Sequence, residues 1–262
     1  MTIDRHARVL DIQAWDDYHL LSIASPEIGK AARPGQFVMV KVADQPFPLL
    51  RRPLSIHDAD GSGIRLFFKV AGLGTEVLAR KRPGDPIDIL GPLGKGYTFS
   101  ASLKGKKAYL VGGGRGIAPL YFQGRELKAL GAVVTVLYGG RTRRDIPLTG
   151  VFEAAGLALV CSTDDGSFGF HGFVTELLRR ELVRAPADVI YACGPDLMMR
   201  AAADAARAAG IPAELSLESL MGCGIGACWG CVHRIRGETG EGWVKICEEG
   251  PVFPSERIVW TD

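Results

Sequence analysis

Hydrophobic positions in the first hundred residues fall in short β-type runs that are broken by turns rich in glycine and proline. The runs lie at 7–10, 37–42, 64–70 and 87–90. The turn signals between them are Pro34-Gly35, Asp60-Gly61 and Pro83-Gly84. This pattern predicts a small antiparallel barrel or sandwich over residues 1–102, with no helix of ordinary length.

From about residue 104 the hydrophobic pattern changes to strands that alternate with helices. The predicted strands occupy 108–111, 133–138, 158–161 and 189–192. The predicted helices run over 117–130, over the helically spaced apolar residues of 174–182, and from Pro195 to just before Gly210. This alternation is typical of a parallel sheet, so residues 103–213 are predicted to form a nucleotide-binding α/β domain.

Residues 214–262 are rich in cysteine and glycine and contain few large apolar residues. So small an apolar content does not build a core of its own. We therefore expect a third domain over 214–262 that a bound metal centre stabilises.

Overall charge and hydropathy exclude two classes of protein. The chain has 31 basic and 29 acidic residues without a long block of one sign, so nothing favours nucleic-acid binding. No apolar run reaches the roughly 18 residues of a membrane-spanning helix, and Met1–Arg5 do not resemble a signal peptide. We expect a cytoplasmic protein, in which clustered cysteines favour a metal site over disulfides.

Four cysteines follow the spacing C-x4-C-x2-C-x15-C, and they are Cys223, Cys228, Cys231 and Cys247. This is the spacing of plant-type [2Fe–2S] ligands, in which one loop supplies three thiolates and a distant residue supplies the fourth. Small residues between the cysteines allow backbone N–H groups to approach the cluster sulfurs. A structural zinc site is the alternative, although it more usually presents paired C-x2-C units.

A glycine-rich segment and a Cys-Gly-Pro segment each follow a predicted strand of the α/β domain. The residues are Gly112, Gly113, Gly114 and Gly116, and then Cys193, Gly194 and Pro195. Glycines before a helix N-terminus favour binding of a pyrophosphate, and the second segment lies where a nicotinamide could bind. Three arginines at 141, 143 and 144 and the lack of an acidic residue at that strand end leave NAD and NADP both open.

Three motifs of the β domain could bind phosphate oxygens together. Arg52-Pro53-Leu54-Ser55 supplies a guanidinium and a hydroxyl, while Gly72–Thr75 and Gly91–Gly94 could supply backbone N–H groups. Each motif alone is more often an ordinary turn. Their occurrence in one domain favours a bound nucleotide.

The order of these motifs resembles the ferredoxin–NADP reductase superfamily over about residues 5–213. That resemblance implies an FAD-binding β-barrel followed by a nicotinamide-binding α/β domain. With residues 163–167, Glu218 and residues 221–228 included, the whole chain resembles the electron-transfer subunits of NAD-dependent (class 1B) dihydroorotate dehydrogenases.

The resemblance also implies roles for individual residues. It places FAD against Arg52, Pro53, Leu54, Ser55, Lys69, Val70, Ala71, Gly74 and Thr75. It makes the four cysteines the ligands of a [2Fe–2S] cluster. Arg115 stands where the family more often has a smaller or uncharged residue.

The function that the resemblance implies is an electron relay in pyrimidine (UMP) biosynthesis. An FMN-containing dihydroorotate dehydrogenase subunit would be the partner, in a heterotetramer, and electrons would pass through the cluster and FAD to NAD+. No residue of this chain is assigned as catalytic. The alternatives are the reductase subunit of an NAD(P)H:ferredoxin oxidoreductase, sulfhydrogenase or glutamate synthase-like complex, and a zinc-stapled nucleotide-binding regulatory module.

Overall fold

The computed structural model describes residues 1–43, 47–238 and 240–260. The elements of the first part are β1 (Thr2–Trp15), β2 (Tyr18–Ala24), α1 (Pro26–Ala31), β3 (Phe37–Lys41), β4 (Arg52–Ala59), β5 (Gly63–Lys69), α2 (Leu73–Ala79) and β6 (Pro86–Leu93). The strands pair antiparallel and close into a barrel in the order β1-β2-β5-β4-β3-β6. The expected antiparallel barrel is confirmed, and its two helices are short.

Strands β2 and β4 lie outside the apolar runs that predict the other four. In β4 the pattern is hidden because two polar residues near its end, His57 and Asp58, are buried. They are covered by a helix of the next domain, which a local pattern does not reveal. The burial of polar residues in β4 therefore depends on tertiary contact and not on the local sequence pattern.

The second part is a parallel sheet with helices on both faces. Its elements are β7 (Lys107–Gly113), α3 (Ala118–Leu130), β8 (Val133–Gly140), α4 (Thr149–Ala154), β9 (Ala158–Thr163), β10 (Phe170–His171), α5 (Val174–Arg184), β11 (Val189–Cys193), α6 (Asp196–Ala208) and β12 (Ala213–Ser216). Helix α3 begins one residue later than expected, because 114–117 form a 3-10 turn. It ends at Gly131, whose φ of +93° is the left-handed conformation that glycine adopts without strain.

The C-terminal part contributes to the same sheet. Its elements are β13 (Val232–Gly237), β14 (Gly240–Lys245), α7 (Ile246–Glu249) and β15 (Val252–Pro254). Strand β15 pairs antiparallel with β12, so the sheet has seven strands in the order β10-β9-β8-β7-β11-β12-β15. Ile246, Cys247 and Phe253 join an apolar cluster that also contains barrel residues. This part therefore shares a core with the rest of the chain.

Helix α3 joins the α/β domain to barrel strand β4. His57 Nδ1 lies 3.0 Å from the Ala118 carbonyl oxygen, and the His57 ring stacks on the ring of Tyr121. Arg125 forms an ion pair with Asp58 at 3.2 Å and donates a hydrogen bond to the Ala59 carbonyl. These contacts hold α3 against barrel strand β4. Within the described ranges no helix is both long and apolar enough to cross a membrane.

Candidate functional site

A cavity of about 240 Å³ lies where the barrel meets the sheet. Its lining residues come from β3, β4, the end of β5, Ala71 before α2 and Thr75 within it, Arg115 and the start of α3, residues 216–219 and 221, and Pro251. Those that the sequence singled out as flavin contacts are Pro53, Leu54, Ser55, Lys69, Ala71 and Thr75. The structure therefore brings residues of two of the three β-domain motifs to one cavity, together with Lys69 and Ala71, whereas residues 91–94 lie outside its lining.

Arg52 and Gly74 lie in direct contact beside this cavity. A Cβ at position 74 would overlap the Arg52 guanidinium and would stand 2.6 Å from its Cζ. The Thr75 hydroxyl accepts a hydrogen bond from the Ala71 N–H and donates one to the Gly72 carbonyl, both at 2.9 Å. A guanidinium over an ordered turn with backbone N–H groups suits the oxygens of a diphosphate.

Lys69 links the cavity to the α/β domain, since its ammonium lies 3.3 Å from Asp145 Oδ1. The Tyr18 hydroxyl donates to the same oxygen at 2.9 Å. Burial raises the pKa of Asp145, but the hydrogen bonds from Tyr18 and Lys69 outweigh it, so the net pKa is lowered. The carboxylate therefore stays charged and holds the barrel against the loop after β8. Val70 lies outside the cavity lining, and its N–H donates to the Asp17 carbonyl at 2.8 Å.

The glycines after β7 are packed tightly against the Cys-Gly-Pro segment. A Cβ at Gly113 would stand 2.6 Å from Met198 Sδ and 3.1 Å from Pro195 Cδ. A Cβ at Gly116 would stand 2.6 Å from Gly194 Cα and would overlap the Cys193 carbonyl. Ile117 likewise leaves no room for a Cβ at Gly112. Gly114, with a φ of +54°, has room for one. Packing thus explains most of these glycines, a reason that the sequence did not reveal.

Cys193 lies at the end of β11, against the glycine loop, and is buried. Burial first, and the nearby Glu218 carboxylate second, raise the pKa of its thiol well above the ordinary value. The thiol is therefore neutral, and it contributes a small apolar surface at the sheet edge.

A second cavity, of about 780 Å³, lies above the ends of β8 and β9. It is lined by Trp15, Asp16, Thr142, Arg143, Arg144, Ile146, Pro147, Thr149, Asp165 and Ser167. The Arg143 guanidinium lies 4.0 Å from the Phe168 ring, and Arg141 and Arg144 face Asp145 and Asp16 at 3.5 and 3.8 Å. Two of the three arginines thus have carboxylate neighbours and the third an aromatic one. Sequence reasoning did not identify the barrel residues Trp15 and Asp16 in this wall.

The four cysteines of the C-terminal part lie in two pairs. Cys223 and Cys228 are close enough to share a hydrogen bond. Cys231 and Cys247 form the second pair, and the Cys247 N–H points at Cys231 Sγ at 3.4 Å. A [2Fe–2S] cluster needs two thiolates for each of its two irons. A structural zinc site instead places four ligands around one ion. Among the described residues no three His, Cys, Asp or Glu side chains converge to hold a single metal ion.

Backbone N–H groups point at the sulfurs, as the small residues of the loop predict. The Gly226 N–H lies 3.1 Å from Cys247 Sγ. Burial raises the pKa of Cys223, but the N–H groups of Ile225, Cys228 and Ala227 outweigh it and lower the pKa to about 6. Burial and the Cys231 thiol raise the pKa of Cys247 to about 12. The N–H groups around Cys223 therefore favour its thiolate form, which is the form that binds metal, whereas burial beside Cys231 favours the neutral thiol of Cys247.

Exposed apolar side chains lie on both sides of Cys228 in the sequence, and Cys228 is the most exposed of the four cysteines. They are Leu220, Ile225, Trp229 and Val232, and Trp243 of β14 is also exposed. Trp229 has a φ of +56° and lies under the Lys245 ammonium at 4.9 Å. Sequence reasoning missed these residues, because only their exposure distinguishes them from core residues.

Arg115 and Glu218 form an ion pair of 3.0 Å. The pair joins the glycine loop, residues 112–116, to the segment that leads to the cysteines. Both residues line the smaller cavity. The Glu218 carboxylate raises the pKa of the Arg115 guanidinium. The pair closes one side of the cavity in which the predicted flavin contacts meet.

Two family models match this chain. Residues 218–259 match the iron–sulfur cluster binding domain of dihydroorotate dehydrogenase B. Residues 110–204 match the oxidoreductase NAD-binding domain. The first model covers all four cysteines, and the second covers both the glycine loop and the Cys-Gly-Pro segment.

Curated relatives are similar to this chain over nearly its full length. The dihydroorotate dehydrogenase B (NAD(+)) electron transfer subunit of Desulforamulus reducens is 41% identical over 92% of both chains. That of Geobacillus sp. (strain WCH70) is 40% identical over 99% of this chain and 97% of the relative.

Solved structures agree on the fold. A chain of the NADH-dependent reduced ferredoxin–NADP oxidoreductase structure is 30% identical, with a TM-score of 0.83 over 98% of this chain and 91% of that one. A ferredoxin NADP+ reductase from Neisseria gonorrhoeae, with bound FAD and NADP, is 16% identical and shares the fold with a TM-score of 0.64 over 79% of this chain and 92% of that one.

Proposed function

Because the chain belongs to the family of dihydroorotate dehydrogenase B (NAD(+)) electron transfer subunits, we propose that it relays electrons from a catalytic partner subunit through a [2Fe–2S] cluster and FAD to NAD+. The reaction belongs to pyrimidine (UMP) biosynthesis. One observation carries the proposal: residues 216–219 and 221 line the cavity of the flavin motifs, and Cys223 follows directly along the chain. A cluster at the cysteines and a flavin in the cavity would therefore be neighbours.

The residues of the barrel hold and orient the flavin in this proposal. Arg52, placed over Gly74, and the turn of Ala71–Thr75 face the diphosphate. Pro53, Leu54 and Ser55 of β4 form one wall of the cavity. When bound, FAD supplies the exchange between two-electron and one-electron transfer, and the cluster supplies single-electron transfer. Lys69 and Val70 hold the neighbouring backbone through Asp145 and Asp17.

The four cysteines would hold the cluster through their thiolates in this proposal. Cys231 and Cys247 are buried in the core that the C-terminal part shares with the sheet. Cys223 and Cys228 lie on the outer side, with Cys228 exposed. The exposed Cys228 would be accessible to an electron-donating partner.

NAD+ binds along the carboxyl edge of the sheet in this proposal. The glycine loop and Cys193–Pro195 place the nicotinamide end beside the smaller cavity, and the larger cavity takes the adenosine end. The edge suits a dinucleotide because the carboxyl ends of parallel strands meet there.

The partner is an electron-donating catalytic subunit, and we propose that it carries FMN and assembles with this chain as a heterotetramer. The exposed apolar residues of the segment that carries Cys228 support a protein partner there, since large exposed apolar groups mark interaction sites. Light scattering of the reconstituted complex tests the stoichiometry. A 1:1 dimer would contradict the heterotetramer.

A second candidate is the reductase subunit of an NAD(P)H:ferredoxin oxidoreductase. The TM-score of 0.83 to the oxidoreductase chain favours it. The two candidates share their cofactors and differ in the electron donor, so a partner experiment separates them.

The test has two steps. Anaerobic purification should give a brown-yellow protein that contains flavin, iron and acid-labile sulfide, and a folded, colourless, iron-free product would refute the cofactors. Reconstitution with an FMN-containing dihydroorotate dehydrogenase subunit should then confer NAD+ reduction by dihydroorotate. Failure of this step, with NAD+ reduced by ferredoxin instead, would favour the second candidate.

A further inference from the structure

Arg115 extends from a loop whose backbone has almost no freedom to move. Gly113 and Gly116, on both sides of it, lie against Met198, Pro195 and the Cys193–Gly194 backbone. The Arg115 side chain, in contrast, is 54% exposed, and its partner Glu218 is 46% exposed. The Arg115 Cα is therefore held in place by its packed neighbours, whereas its exposed guanidinium can move.

The Arg115 side chain lines the smaller cavity, and the order of strands places its loop on the side of that cavity nearer the larger one. Strand β7, which ends at the glycine loop, lies between β8 and β11 in the sheet. The larger cavity lies above β8 and β9, while the smaller one lies beside the loops after β7 and β12. A dinucleotide with its adenosine end in the larger cavity and its nicotinamide end beside the smaller, flavin cavity must pass its diphosphate over the loop that carries Arg115.

The ion pair between Arg115 and Glu218 is easy to open. Pairs with this much exposure contribute little to stability, because water screens both charges. A diphosphate carries two negative charges and accepts the two parallel hydrogen bonds that a guanidinium can donate. It is a stronger partner for Arg115 than a single half-exposed carboxylate.

We propose that Arg115 recognises the diphosphate of the nicotinamide dinucleotide and that it does so by exchanging Glu218 for a phosphate. This inference rests on the proposed function, because it assumes that a dinucleotide binds along the sheet edge. Glu218 is then released at the wall of the flavin cavity, five residues before Cys223. Dinucleotide binding would thus change a contact in the segment that connects the cavity to the cysteines.

The exchange makes the two residues act in opposite directions on affinity. Calorimetric titration of the cofactor-loaded chain with ADP-ribose, under anaerobic conditions, measures binding without reduction of the flavin. Arg115→Ala should weaken ADP-ribose binding by about tenfold or more, as expected for loss of a charge-assisted contact. Glu218→Gln should tighten it by about two- to fivefold, because the competing carboxylate is gone.

The double variant Arg115→Ala/Glu218→Gln decides whether the two effects are coupled. If the residues exchange partners, Glu218→Gln gives no tightening in the Arg115→Ala background. Equal tightening in both backgrounds would mean that Glu218 merely repels the ligand, and the exchange would be refuted. The matched controls are Arg207→Ala and Asp204→Asn, which break an exposed ion pair on α6 and should leave ADP-ribose affinity unchanged.

Absorbance and iron content show whether each variant keeps its cofactors. Arg115→Lys keeps the positive charge but loses the two parallel N–H donors of the guanidinium, so its affinity for ADP-ribose should lie between those of wild type and Arg115→Ala. An Arg115→Ala affinity equal to that of wild type would overturn the inference alone. Lack of ADP-ribose binding by the wild-type chain would overturn the proposed dinucleotide site as well, so the two failures are distinguishable.

Discussion

Gly224 of the cysteine-containing loop lies directly against Met39 of barrel strand β3. A Cβ at position 224 would stand 2.8 Å from Met39 Sδ and would overlap its Cγ. Gly224 also has a φ of +75°, which L-residues with a side chain rarely adopt. The loop is thus seated on the barrel through a position that only glycine fits.

We expect Gly224→Ala to lower the cluster content of the chain. The left-handed backbone conformation costs alanine about 1–2 kcal/mol, and the overlap with Met39 increases this cost. We therefore expect the loop to move away from β3. Iron and sulfide per flavin measure the effect. Gly242→Ala, in the same part of the chain and with open space around the glycine, is the control and should keep full iron content.

Replacement of Cys228 by Ser should remove the cluster and disorder the C-terminal part, because one iron loses a thiolate. NADH oxidation by a dye, which needs only the flavin and dinucleotide sites, should largely survive. Cys161→Ala, which removes a buried thiol far from the loop sequence, is the control for loss of a cysteine. Equal loss of both activities in Cys228→Ser would contradict the separation of the two sites.

Gly74→Ala should weaken FAD binding by about tenfold, since the added methyl displaces the Arg52 guanidinium and removes one charge-assisted contact. The flexible arginine can move, so the barrel should still fold. Flavin content after dialysis and the affinity of the flavin-free chain for FAD measure the loss. Gly61→Ala, in the turn between β4 and β5 of the same barrel, meets no atom within 4 Å and should bind FAD as wild type does.

Arg125→Ala should destabilise the junction between the domains by about 1–3 kcal/mol, the cost of leaving the buried Asp58 without its cation. Burial already raises the pKa of Asp58, and Arg125 opposes that shift. A folded pKa above the unfolded value near about 3.9 means that the folded state binds the proton more tightly, so the loss should shrink as the pH falls toward that value. Denaturant unfolding at several pH values measures it.

The double variant Arg125→Ala/Asp58→Asn provides the control for this prediction. It removes the unpaired charge and should recover part of the stability at neutral pH. A pH-independent loss in Arg125→Ala would show that Asp58 is not the cause.

His57 should make the chain less stable in acid. Burial lowers the pKa of His57 to about 3, while an unfolded histidine titrates near about 6.5. The unfolded state therefore binds the proton first, and the stability that is present above about pH 6.5 decreases below it, by up to about 1.4 kcal/mol per pH unit. Unfolding between about pH 7.5 and about pH 5.5 should show a smaller slope in His57→Phe. The exposed His6→Phe should keep the wild-type slope.

Local patterns predicted the elements that depend on neighbouring residues. The β-type runs, the strand–glycine–helix order and the four-cysteine spacing all follow from preferences that act within a few residues. They predicted the barrel and the parallel sheet, which the structure confirms. The ligand roles of the cysteines and the flavin contacts remain predictions, and their placement in one cavity and two thiol pairs supports them.

The sequence by itself determined the fold class and the kind of cofactor, because dihedral preferences, hydrophobic periodicity and thiolate spacing are encoded along the chain. The tertiary structure alone decided which distant residues meet: Gly224 with Met39, Arg115 with Glu218, and β15 with β12. These contacts join positions that are far apart in sequence, so no local pattern carries them. They arise because the buried faces of the barrel, the sheet and the C-terminal part are covered only when the three pack together.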